Sequence, residues 1–447
     1  MSSNIYQQML DKIAANHEVV GVIGLGYVGL PLAVNFAEAG VRVLGFDKSA
    51  EKVDKINRGD NYIQDIRDAV LRQVVENITL SATTDFSRIA ECDALLICVP
   101  TPLDRFRKPD MSFIETSCTD IGRYMTPGTF ISLESTTYPT TTEDFMLPIL
   151  ERESGLRHGV DFWLAYSPER VDPGNLNFHT RNTPKVLGAM TPNGLEIGKA
   201  LYAKAIDNLH TVSSPRVAEM VKILENTYRL VNISLINELA LLSGKMGINI
   251  WEVIEAAKTK PFGFQAFYPG PGIGGHCIPL DPFYLEHIAK KYDFELSMIH
   301  AAGHINMRMP QYMYIKIATA LNNQRKPVNG SNILFVGVAY KPDIDDARES
   351  PALEIMDVVA RKGGLLQYHD PYIPTINIAD HGSVETKHAL SLHSVELTPE
   401  LLQSVDCVVL TTNHKVIDVD MIINYAPLVV DMRNMIKLPN INNVYKL

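Results

Sequence analysis

Short apolar runs, each separated from the next by amphipathic or polar sequence, fill residues 1–213 of the chain. Five of these runs are predicted to be buried strands: 18–24, 41–46, 94–99, 129–133 and 162–165. A helix is predicted directly after the first run, at about 30–39. Strands that alternate with helices are typical of a parallel, doubly wound sheet, so this part of the chain is predicted to be an α/β domain.

The pattern changes to helical spacing near residue 214. Residues 215–246 contain no glycine before Gly244, and their apolar residues recur every three or four positions. Further helices are predicted at 251–257 and 311–321. A helix as long as 215–246 is predicted to pair subunits, and the polar, turn-rich stretch 322–330 is predicted to be a linker.

A second set of alternating elements follows the linker. Strands are predicted at 332–338, 365–368, 407–410 and 428–430, with a helix at 351–362. This second α/β domain has no GxGxxG turn, so no second dinucleotide site is predicted. The predicted domains are therefore 1–213, 214–325 and 326–447.

Composition narrows the class of protein. The 447 residues are 46% hydrophobic and 21% charged, which is ordinary for a soluble globular protein. The net charge of −10 disfavours non-specific binding to nucleic acid. No apolar run reaches the ~18 residues that span a bilayer, and the polar N-terminus is not a signal peptide. We therefore expect no nucleic-acid or membrane partner.

The five cysteines form no CxxC pair, which argues against a metal site or a disulfide framework. Unpaired cysteines fit a reducing compartment, so a cytoplasmic location is predicted.

A dinucleotide fingerprint occupies the turn after the first predicted strand. Gly24 permits the tight turn, Gly26 lets a pyrophosphate approach, and Gly29 packs the helix against the strand. The helix N-terminus offers free N–H groups to phosphates. Asp47 ends the next strand, where a carboxylate binds ribose hydroxyls and repels a 2′-phosphate. These features predict a Rossmann domain that binds NAD in preference to NADP; the alternative is a purely structural glycine turn.

A glycine-rich loop, 269–275, immediately precedes His276 and Cys277. Glycines let a backbone approach a ligand closely, and a thiol in such a loop is accessible to that ligand. The other four cysteines, Cys92, Cys98, Cys118 and Cys407, are predicted to be small buried hydrophobes. A redox cofactor together with a reachable thiol predicts oxidation through a covalent thioester, whereas His276 is predicted to be structural.

Lys222 and Asn226 stand four residues apart on the long predicted helix and so share one face. Such a pair is either an ordinary solvated face or two donors directed at one developing oxyanion. The spacing alone leaves both interpretations open.

These segments together resemble the nucleotide-sugar 6-dehydrogenases, the UDP-glucose and UDP-N-acetylhexosamine dehydrogenase family, over nearly the whole chain. The segments that carry the resemblance are 24–29, 99–102, 134–136, 167–170, 219–226, 274–281 and 340–351. The resemblance implies an N-terminal NAD-binding Rossmann domain, a central helical dimerisation domain and a C-terminal Rossmann-like α/β domain that binds UDP. It also implies a homodimer or higher oligomer that oxidises C6 of a UDP-sugar twice, with two NAD.

The resemblance also implies roles for individual residues. The catalytic set is Cys277, Lys222, Asn226, Asp281, Glu169 and Thr136. The cofactor contacts are Gly24, Gly26, Tyr27, Val28, Gly29, Asp47, Lys52, Val99, Thr101, Ser135, Thr136 and Arg348. The substrate contacts are Glu169, Arg170, Lys222, Asn226, Tyr268, Gly272, Gly274, Tyr340, Lys341 and Arg433, and no metal is implied.

Two departures from the UDP-glucose branch point to the N-acetylhexosamine branch. Pro173 stands where that branch has a second glutamate, and 260–265 lacks the arginine that crosses to a neighbouring subunit. The run 260–272 looks most like the UDP-N-acetylglucosamine dehydrogenases, which act in surface polysaccharide synthesis. UDP-glucose, UDP-N-acetylgalactosamine and UDP-N-acetylmannosamine are alternative substrates. A non-catalytic nucleotide-sugar binder and a one-step dehydrogenase are the alternatives from other classes.

Overall fold

The computed structural model describes residues 2–63, 65–102, 109–172, 175, 177–275, 278, 280–378, 390–438 and 441–447. Two compact units divide the chain: Met1–Glu225 with Phe283–Phe294, and Asn226–Pro282 with Glu295–Leu447. We call them the first and the second unit. Two of the boundaries between the units fall within helices, Pro215–Met246 and Asp281–Ala289.

An eight-stranded sheet forms the centre of the first unit. Its elements are α1 (Ser2–Ala14), β1 (Val19–Ile23), α2 (Gly29–Glu38), β2 (Arg42–Phe46), α3 (Ala50–Arg58), α4 (Asp68–Glu76), β3 (Leu80–Thr83), β4 (Ala94–Ile97), α5 (Ser112–Tyr124), β5 (Phe130–Leu133), α6 (Leu147–Ser154), β6 (Trp163–Tyr166), β7 (Lys185–Ala189), α7 (Pro192–Tyr202) and β8 (Leu209–Val212). The strand order is β3-β2-β1-β4-β5-β6-β7-β8, and every neighbouring pair is parallel except β6 and β7. The predicted doubly wound α/β sheet is confirmed, with one reversed pair.

Both faces of this sheet are covered, which explains why its strands are continuous apolar runs. Val20 and Val22 of β1 belong to the core cluster on one face, whereas Ile23 belongs to the cluster on the other. β4 divides in the same way, because Leu96 contacts the first cluster and Leu95 the second. Strands buried on both sides lose the polar–apolar alternation of a half-exposed sheet.

The first helix, α1, has a structural role that the sequence did not indicate. Met9 and Ile13 are buried in the same core as β1. Lys204, which follows α7, donates to the carbonyl of Ile13 and forms an ion pair with Glu18 at 2.8 Å. The helix is therefore packed on the sheet domain, although its residues carried no identifiable motif.

The second unit contains the rest of the long helix and a smaller sheet. Its elements are α8 (Pro215–Met246, shared with the first unit), α9 (Ile250–Lys258), α10 (Asp281–Ala289, also shared), α11 (Ser297–Asn323), β9 (Asn332–Val336), α12 (Pro351–Arg361), β10 (Leu365–His369), β11 (Thr375–Ile378), β12 (Leu390–His393), α13 (Pro399–Ser404), β13 (Cys407–Leu410), α14 (Val419–Tyr425), β14 (Val429–Asp431) and β15 (Val444–Lys446). The main sheet has the parallel order β10-β9-β13-β14-β15, and β11 pairs with β12.

The helical middle region is confirmed, with one difference in extent. α8 has the predicted bounds, whereas α11 begins at Ser297 and continues through Pro310, well before the predicted start at 311. Proline removes only one hydrogen bond of a long helix, and burial of Met309 and Met313 on either side compensates for that loss. None of the helices in the described ranges is long and apolar enough to span a bilayer.

Candidate functional site

The glycine turn after β1 has the geometry that a dinucleotide requires. Gly24 has φ +91°, and a Cβ there would lie 2.7 Å from the carbonyl oxygen of Cys98. A Cβ on Gly29 would lie 1.9 Å from the carbonyl oxygen of Gly24, so neither position accepts a side chain. Gly26, by contrast, has no atom within 4 Å of a would-be Cβ. Two glycines therefore pack the turn, and the third leaves an open approach to the backbone N–H groups that precede α2.

Asp47, at the carboxyl end of β2, is fixed against this turn. Its Oδ2 accepts a hydrogen bond from Leu25 N at 3.0 Å, and its Oδ1 accepts one from Ser49 N at 2.9 Å. Lys52 Nζ lies 3.6 Å from Oδ2. Each carboxylate oxygen has two lone pairs, so acceptor capacity remains for ribose hydroxyls. Burial and the charge of Asp47 raise the pKa of Tyr62, whose hydroxyl donates to the carbonyl of Leu25.

The remaining predicted cofactor residues of the first unit meet at the carboxyl edge of β4 and β5. Thr101 Oγ1 donates to the carbonyl of Thr136 at 2.8 Å, and Ser135 Oγ donates to the carbonyl of Val99 at 2.7 Å. Open parallel sheets bind ligands at this edge, beside the strand where the order reverses. Tyr27 is half exposed on the glycine turn, beside the partly buried Val28.

Arg348, the last predicted cofactor contact, belongs to the second unit, where its guanidinium binds Asp346 with Nη2 2.6 Å from Oδ2. Its role toward the cofactor stays a prediction.

Substitution of Asp47 by serine is expected to weaken NAD use and to permit NADP. Loss of a charge-assisted bond to ribose costs about 1.5–3 kcal/mol, which raises the KM for NAD roughly 10- to 100-fold. Removal of the negative charge also removes the repulsion of a 2′-phosphate. Initial rates with both cofactors measure the change, and Asp54→Asn at an exposed position of α3 is the control. An unchanged ratio of NAD to NADP rates would contradict the assignment.

Glu169 lies shortly after the end of β6, and its carboxylate is held by neighbouring backbone N–H groups. Its Oε1 accepts backbone hydrogen bonds from Arg170 N at 2.8 Å and Val171 N at 2.9 Å, and its Oε2 lies 3.7 Å from Lys185 Nζ. The Arg170 side chain binds both carboxylate oxygens of Glu225 on α8, at 2.6 and 3.1 Å. This bidentate pair ties the Glu169 segment to α8, so the predicted substrate contact of Arg170 stays a prediction.

Lys222 is a buried lysine on the part of α8 that belongs to the first unit. Over the described ranges, no carboxylate lies within ion-pair distance of its ammonium group. A buried cation without a partner is costly, and it is suited to stabilise negative charge on a bound group.

Glu219, one turn before Lys222, fixes α8 to the segment after Thr136. Its carboxylate accepts hydrogen bonds from Thr140 N at 2.6 Å, Thr142 N at 2.9 Å and Thr142 Oγ1 at 2.7 Å. Burial is the main cause that raises the pKa of Glu219 to about 7. These hydrogen bonds fix the part of α8 that carries Lys222.

In the second unit, the structure brings together two residues that the sequence predicted to be catalytic. Asn226 Nδ2 donates to Asp281 Oδ2 at 2.6 Å, and the two residues are only 8% and 2% exposed. Asp281 is the first residue of α10, where the positive end of the helix dipole favours a carboxylate. The interpretation of the helix face as ordinary solvated surface is therefore wrong for Asn226.

The glycine-rich loop that leads to Cys277 is anchored by side-chain amides. Gly270 N donates to Asn237 Oδ1 at 3.0 Å, and Ile273 N donates to Asn306 Oδ1 at 2.8 Å. Gly275, at φ +85°, packs so closely that a Cβ there would lie 2.8 Å from the Tyr340 ring. Packing against a neighbouring loop thus requires this glycine, in addition to the close ligand approach and the positive φ that the sequence predicts for glycines here.

Gly272 and Gly274 also lie in contact with the segment 349–351: a Cβ on either would come within 3.1 Å of Pro351. His276, Cys277 and Pro279 lie outside the described residues.

Arg433, a predicted substrate contact near the end of the sequence, lies beside the same glycine-rich loop. Its Nη1 is 2.4 Å from a would-be Cβ on Gly270, and its Nε donates to the carbonyl of Thr411 at 3.0 Å. Burial lowers the pKa of Arg433 to about 10. No carboxylate of the described chain forms an ion pair with its guanidinium, which makes it available to an anion.

Two further predicted substrate contacts are defined by their neighbours. Tyr268 stacks on Trp251 with ring centroids 6.1 Å apart, and its hydroxyl donates to Glu255 at 2.8 Å. Lys341 follows Tyr340 in the loop after β9, whose start is fixed by bonds from Val338 N and Ala339 N to Asp370. Their contacts with substrate stay predictions.

The turn after β9 repeats the backbone geometry of the dinucleotide turn but not its chemistry. Gly337 has φ +83°, and Asp370 occupies the position relative to β10 that Asp47 occupies relative to β2. Asp370 is buried and accepts five bonds, including one from the buried His414 at 3.1 Å. Although burial alone would raise it, these bonds lower the pKa of Asp370. Its oxygens are thus fully used, unlike those of Asp47.

Sequence reasoning missed several residues that fix these side chains. Lys185, Glu134 and Tyr202 form a buried polar cluster behind Glu169. Asn237 and Asn306 hold the glycine-rich loop. Glu134 belongs to the motif 134–136, and Lys185 begins the short apolar run that forms β7. A charged residue directly beside a buried strand was the sequence signal that could have identified both.

The chain matches models of the UDP-glucose/GDP-mannose dehydrogenase family over most of its length. The NAD binding domain matches residues 18–206, the central domain 216–308 and the UDP binding domain 334–438. The chain is 36% identical over 355 residues to a UDP-N-acetyl-D-glucosamine 6-dehydrogenase of Pseudomonas aeruginosa, covering 79% of this chain and 83% of that protein. It is 33% identical to a UDP-N-acetyl-D-mannosamine dehydrogenase of Pyrococcus horikoshii, covering 96% of this chain and 98% of that protein.

Solved structures agree with this match. The structure of the UDP-D-ManNAc dehydrogenase from Pyrococcus horikoshii superposes with a TM-score of 0.85 at 31% identity, covering 96% of this chain and 98% of that one. The NDP-N-acetyl-D-galactosaminuronic acid dehydrogenase of Methanosarcina mazei superposes with a TM-score of 0.77 at 32% identity, covering 96% and 94%.

Proposed function

The chain belongs to the UDP-glucose/GDP-mannose dehydrogenase family, and from that premise we propose that it oxidises the C6 hydroxymethyl group of UDP-N-acetyl-D-glucosamine to the carboxylate. The protein is an NAD-dependent oxidoreductase. NAD supplies the hydride acceptor, and removal of four electrons requires two molecules of it per sugar. The open approach at Gly26 and the spare acceptor capacity of Asp47 suit this cofactor.

The observation that carries the proposal is the buried hydrogen bond between Asn226 and Asp281. It pairs the Asn226 amide with the carboxylate of Asp281, which follows Cys277 by four residues in the sequence. The loop that precedes Cys277 is anchored at Gly270 and Ile273. A buried amide–carboxylate pair of this kind can orient a water molecule and accept its proton. We propose that this is its role in the hydrolysis of a thioester on Cys277.

The other cysteines support Cys277 as the nucleophile by contrast. Cys92, Cys98, Cys118 and Cys407 are all buried. Burial raises the pKa of each of these thiols above its ordinary value, to about 12 for Cys92. The thiolate is the reactive form, so these four are poor nucleophiles. Cys277, which follows the glycine-rich segment 269–275 in the sequence, is the remaining candidate.

The proposed chemistry divides one difficult oxidation into easier steps. The thiolate of Cys277 adds to the C6 aldehyde that the first oxidation forms, and the oxyanion gains a proton to give a thiohemiacetal. Loss of a hydride and a proton then gives a thioester. Water attacks its carbonyl carbon, the C–S bond breaks, and the carboxylate and the thiol are released. Lys222 and Asn226 are the proposed donors to the oxygen that becomes negative, and Glu169 and Thr136 assist the proton transfers.

The nucleotide end of the substrate is proposed to bind in the second unit. Arg433 is a partly buried cation with no carboxylate partner among the described residues, and desolvation strengthens its attraction for a phosphate. Lys341 is proposed as a second cationic contact. The family model for the UDP binding domain covers both residues.

The sugar is assigned from the sequence of the segment 260–272 and from Pro173, which differ from the UDP-glucose branch. The relatives bear the names of both UDP-N-acetylglucosamine and UDP-N-acetylmannosamine enzymes. Initial rates with UDP-N-acetylglucosamine, UDP-N-acetylmannosamine, UDP-N-acetylgalactosamine and UDP-glucose test the assignment. The highest kcat/KM is expected with UDP-N-acetylglucosamine, because a site that hydrogen-bonds one hydroxyl configuration discriminates strongly against the other. Activity on UDP-glucose alone would contradict the assignment.

The product is proposed to enter surface polysaccharide synthesis in the cytoplasm. Disruption of the gene is expected to remove the N-acetylhexosaminuronic acid from the surface polysaccharide of the source cell. Unchanged sugar composition would contradict this role.

A homodimer is proposed because α8 presents an apolar stripe that is exposed in the described part of the chain. The stripe consists of Val217, Met220, Leu224, Tyr228, Leu235, Leu239, Leu242 and Met246. Their spacing of three, four or seven residues keeps them on one face of the helix. Contiguous exposed apolar surface of this kind marks an interface between proteins.

Sedimentation is expected to give a mass about twice the 49.7 kDa of one chain, or a higher multiple. Leu235→Glu is expected to shift the mass toward the monomer, because the glutamate would be buried without a partner in the interface. Leu390→Glu, at an equally exposed leucine of β12, is the control. A wild-type monomer would contradict the proposal.

A further inference from the structure

A buried lysine lies directly behind Glu169 in the first unit. Lys185 is the first residue of β7, and β7 runs antiparallel to β6. Because of this reversal, the amino end of β7 lies at the carboxyl ends of the parallel strands, the edge where the cofactor residues gather. The Lys185 side chain is only 4% exposed. A charged group is almost never placed so deeply without a strong electrostatic reason.

Two carboxylates share the Lys185 ammonium group. Glu134 Oε2 lies 2.6 Å from Nζ, and Glu169 Oε2 lies 3.7 Å from it. The first distance is a close ion pair, whereas the second is a longer ion pair, beyond hydrogen-bond distance. Lys185 is thus held mainly by Glu134, while its charge also acts on Glu169.

Glu134 is itself fixed from the other side. Its Oε1 accepts hydrogen bonds from Tyr202, the last residue of α7, and from Ser132 Oγ at 3.1 Å. The Tyr202 hydroxyl and the Glu134 side chain are fully buried. The chain Tyr202–Glu134–Lys185–Glu169 therefore runs from the interior of the sheet domain to a residue of the proposed active site.

The other ionisable groups around this chain do not replace the lysine. Burial, and then the charge of Glu134, raise the pKa of the neighbouring Cys98 well above its ordinary value, so that thiol is neutral. The guanidinium of Arg170 is bound to Glu225. In the described part of the first unit, Lys185 is the one cation within ion-pair distance of Glu169. Burial acts to lower the pKa of Lys185, but Glu134 and Glu169 outweigh it and raise the pKa, so the lysine is charged.

We propose that Lys185 is a positioning residue that orients Glu169 for proton transfer and acts on it through its charge, and that Glu134 and Tyr202 set how much of the lysine's charge Glu169 receives. This inference rests on the proposed function, in which Glu169 acts as a carboxylate. A purely structural role would be to stabilise the contact between β5 and β7 only. The two roles differ in what they predict for the pH dependence of the reaction.

Two substitutions are expected to move the acidic limb of the kcat/KM profile in opposite directions. Lys185→Met removes the cation and leaves Glu169 near another carboxylate, so ionisation requires a higher pH. Glu134→Gln removes the competing carboxylate and leaves Lys185 to Glu169 alone, so ionisation occurs at a lower pH. An opposite charge within ~4–6 Å changes proton affinity by about one to three pH units, and we expect shifts of about one unit. Lys185→Arg keeps the positive charge, so the acidic limb of its kcat/KM profile is expected to lie at the wild-type pH.

A matched control exists in the same unit. Lys204 and the fully buried Glu18 form an ion pair at 2.8 Å, at the opposite end of β1 from the glycine turn. Lys204→Met is expected to lower the melting temperature without moving the limb. This variant separates the cost of breaking a buried ion pair from any change in the proton affinity of Glu169.

The experiment measures NADH formation from the UDP-sugar against pH for the wild type and the four variants, with a melting curve for each. Opposite shifts in Lys185→Met and Glu134→Gln support the inference. Lower melting temperatures with no shift, or shifts in the same direction, overturn it. If Lys185→Met does not fold, the expected downward shift in Glu134→Gln decides the question. A wild type that forms no NADH from any UDP-sugar would instead refute the proposed function.

Discussion

Replacement of Cys277 by serine is expected to reduce formation of the carboxylate product by at least about 10³-fold. Loss of the nucleophile from a covalent enzyme costs up to ~10⁶-fold in kcat, because the remaining groups cannot act without it. A serine hydroxyl is a weaker nucleophile than a thiolate, and an ester is a poorer acyl donor to water than a thioester. The variant is therefore expected to stop at the aldehyde or to accumulate an enzyme-bound ester, which intact-protein mass spectrometry detects.

Cys118→Ala provides the matched control for this experiment. Cys118 is fully buried on α5, and its thiol pKa is raised by burial. Its substitution is expected to cost about 1–2 kcal/mol of stability through lost packing and to leave both oxidation steps unchanged. A Cys277 variant that forms uronate at nearly the wild-type rate would show that the second oxidation does not pass through a thioester.

Replacement of Lys222 by methionine is expected to lower kcat about 10²- to 10³-fold with little change in KM. The effect follows if the buried ammonium group stabilises charge that develops only in the transition state, as removal of one oxyanion donor does elsewhere. Methionine keeps much of the side-chain volume in this buried position, so the fold is expected to persist. Steady-state kinetics and a melting curve of the same preparation measure both quantities.

The exposed Lys245, near the end of the same helix, is the control for Lys222. Lys245→Met is expected to leave kcat unchanged, because its charge is solvated. If Lys222→Met raised KM and left kcat intact, Lys222 would bind the ground state of the substrate and the proposed oxyanion role would be wrong.

Local steric rules explain what the sequence predicted correctly. The first glycine of the turn after β1 needs a positive φ, the third packs against backbone, and the approach at the second is open, so Gly24, Gly29 and Gly26 identify the turn without tertiary information. α8 has the predicted bounds because a long helical spacing with no glycine or proline between 216 and 243 has few alternatives.

Features that depend on residues distant in the sequence could not be predicted from local sequence patterns. The Asn226–Asp281 bond joins residues 55 positions apart, so the sequence placed each residue near the reaction without pairing them. The reversal of β7 depends on how the chain returns to the sheet after β6, and this reversal brings Lys185 to the functional edge. α1 was missed because burial of Met9 and Ile13 depends on the sheet domain beneath them.

The number of NADH molecules formed per molecule of UDP-sugar consumed tests the account most directly. A four-electron oxidation through a thioester on Cys277 predicts two NADH and one carboxylate per sugar, with no free aldehyde in solution. One NADH per sugar, with the aldehyde accumulating, would contradict the account and identify a one-step dehydrogenase.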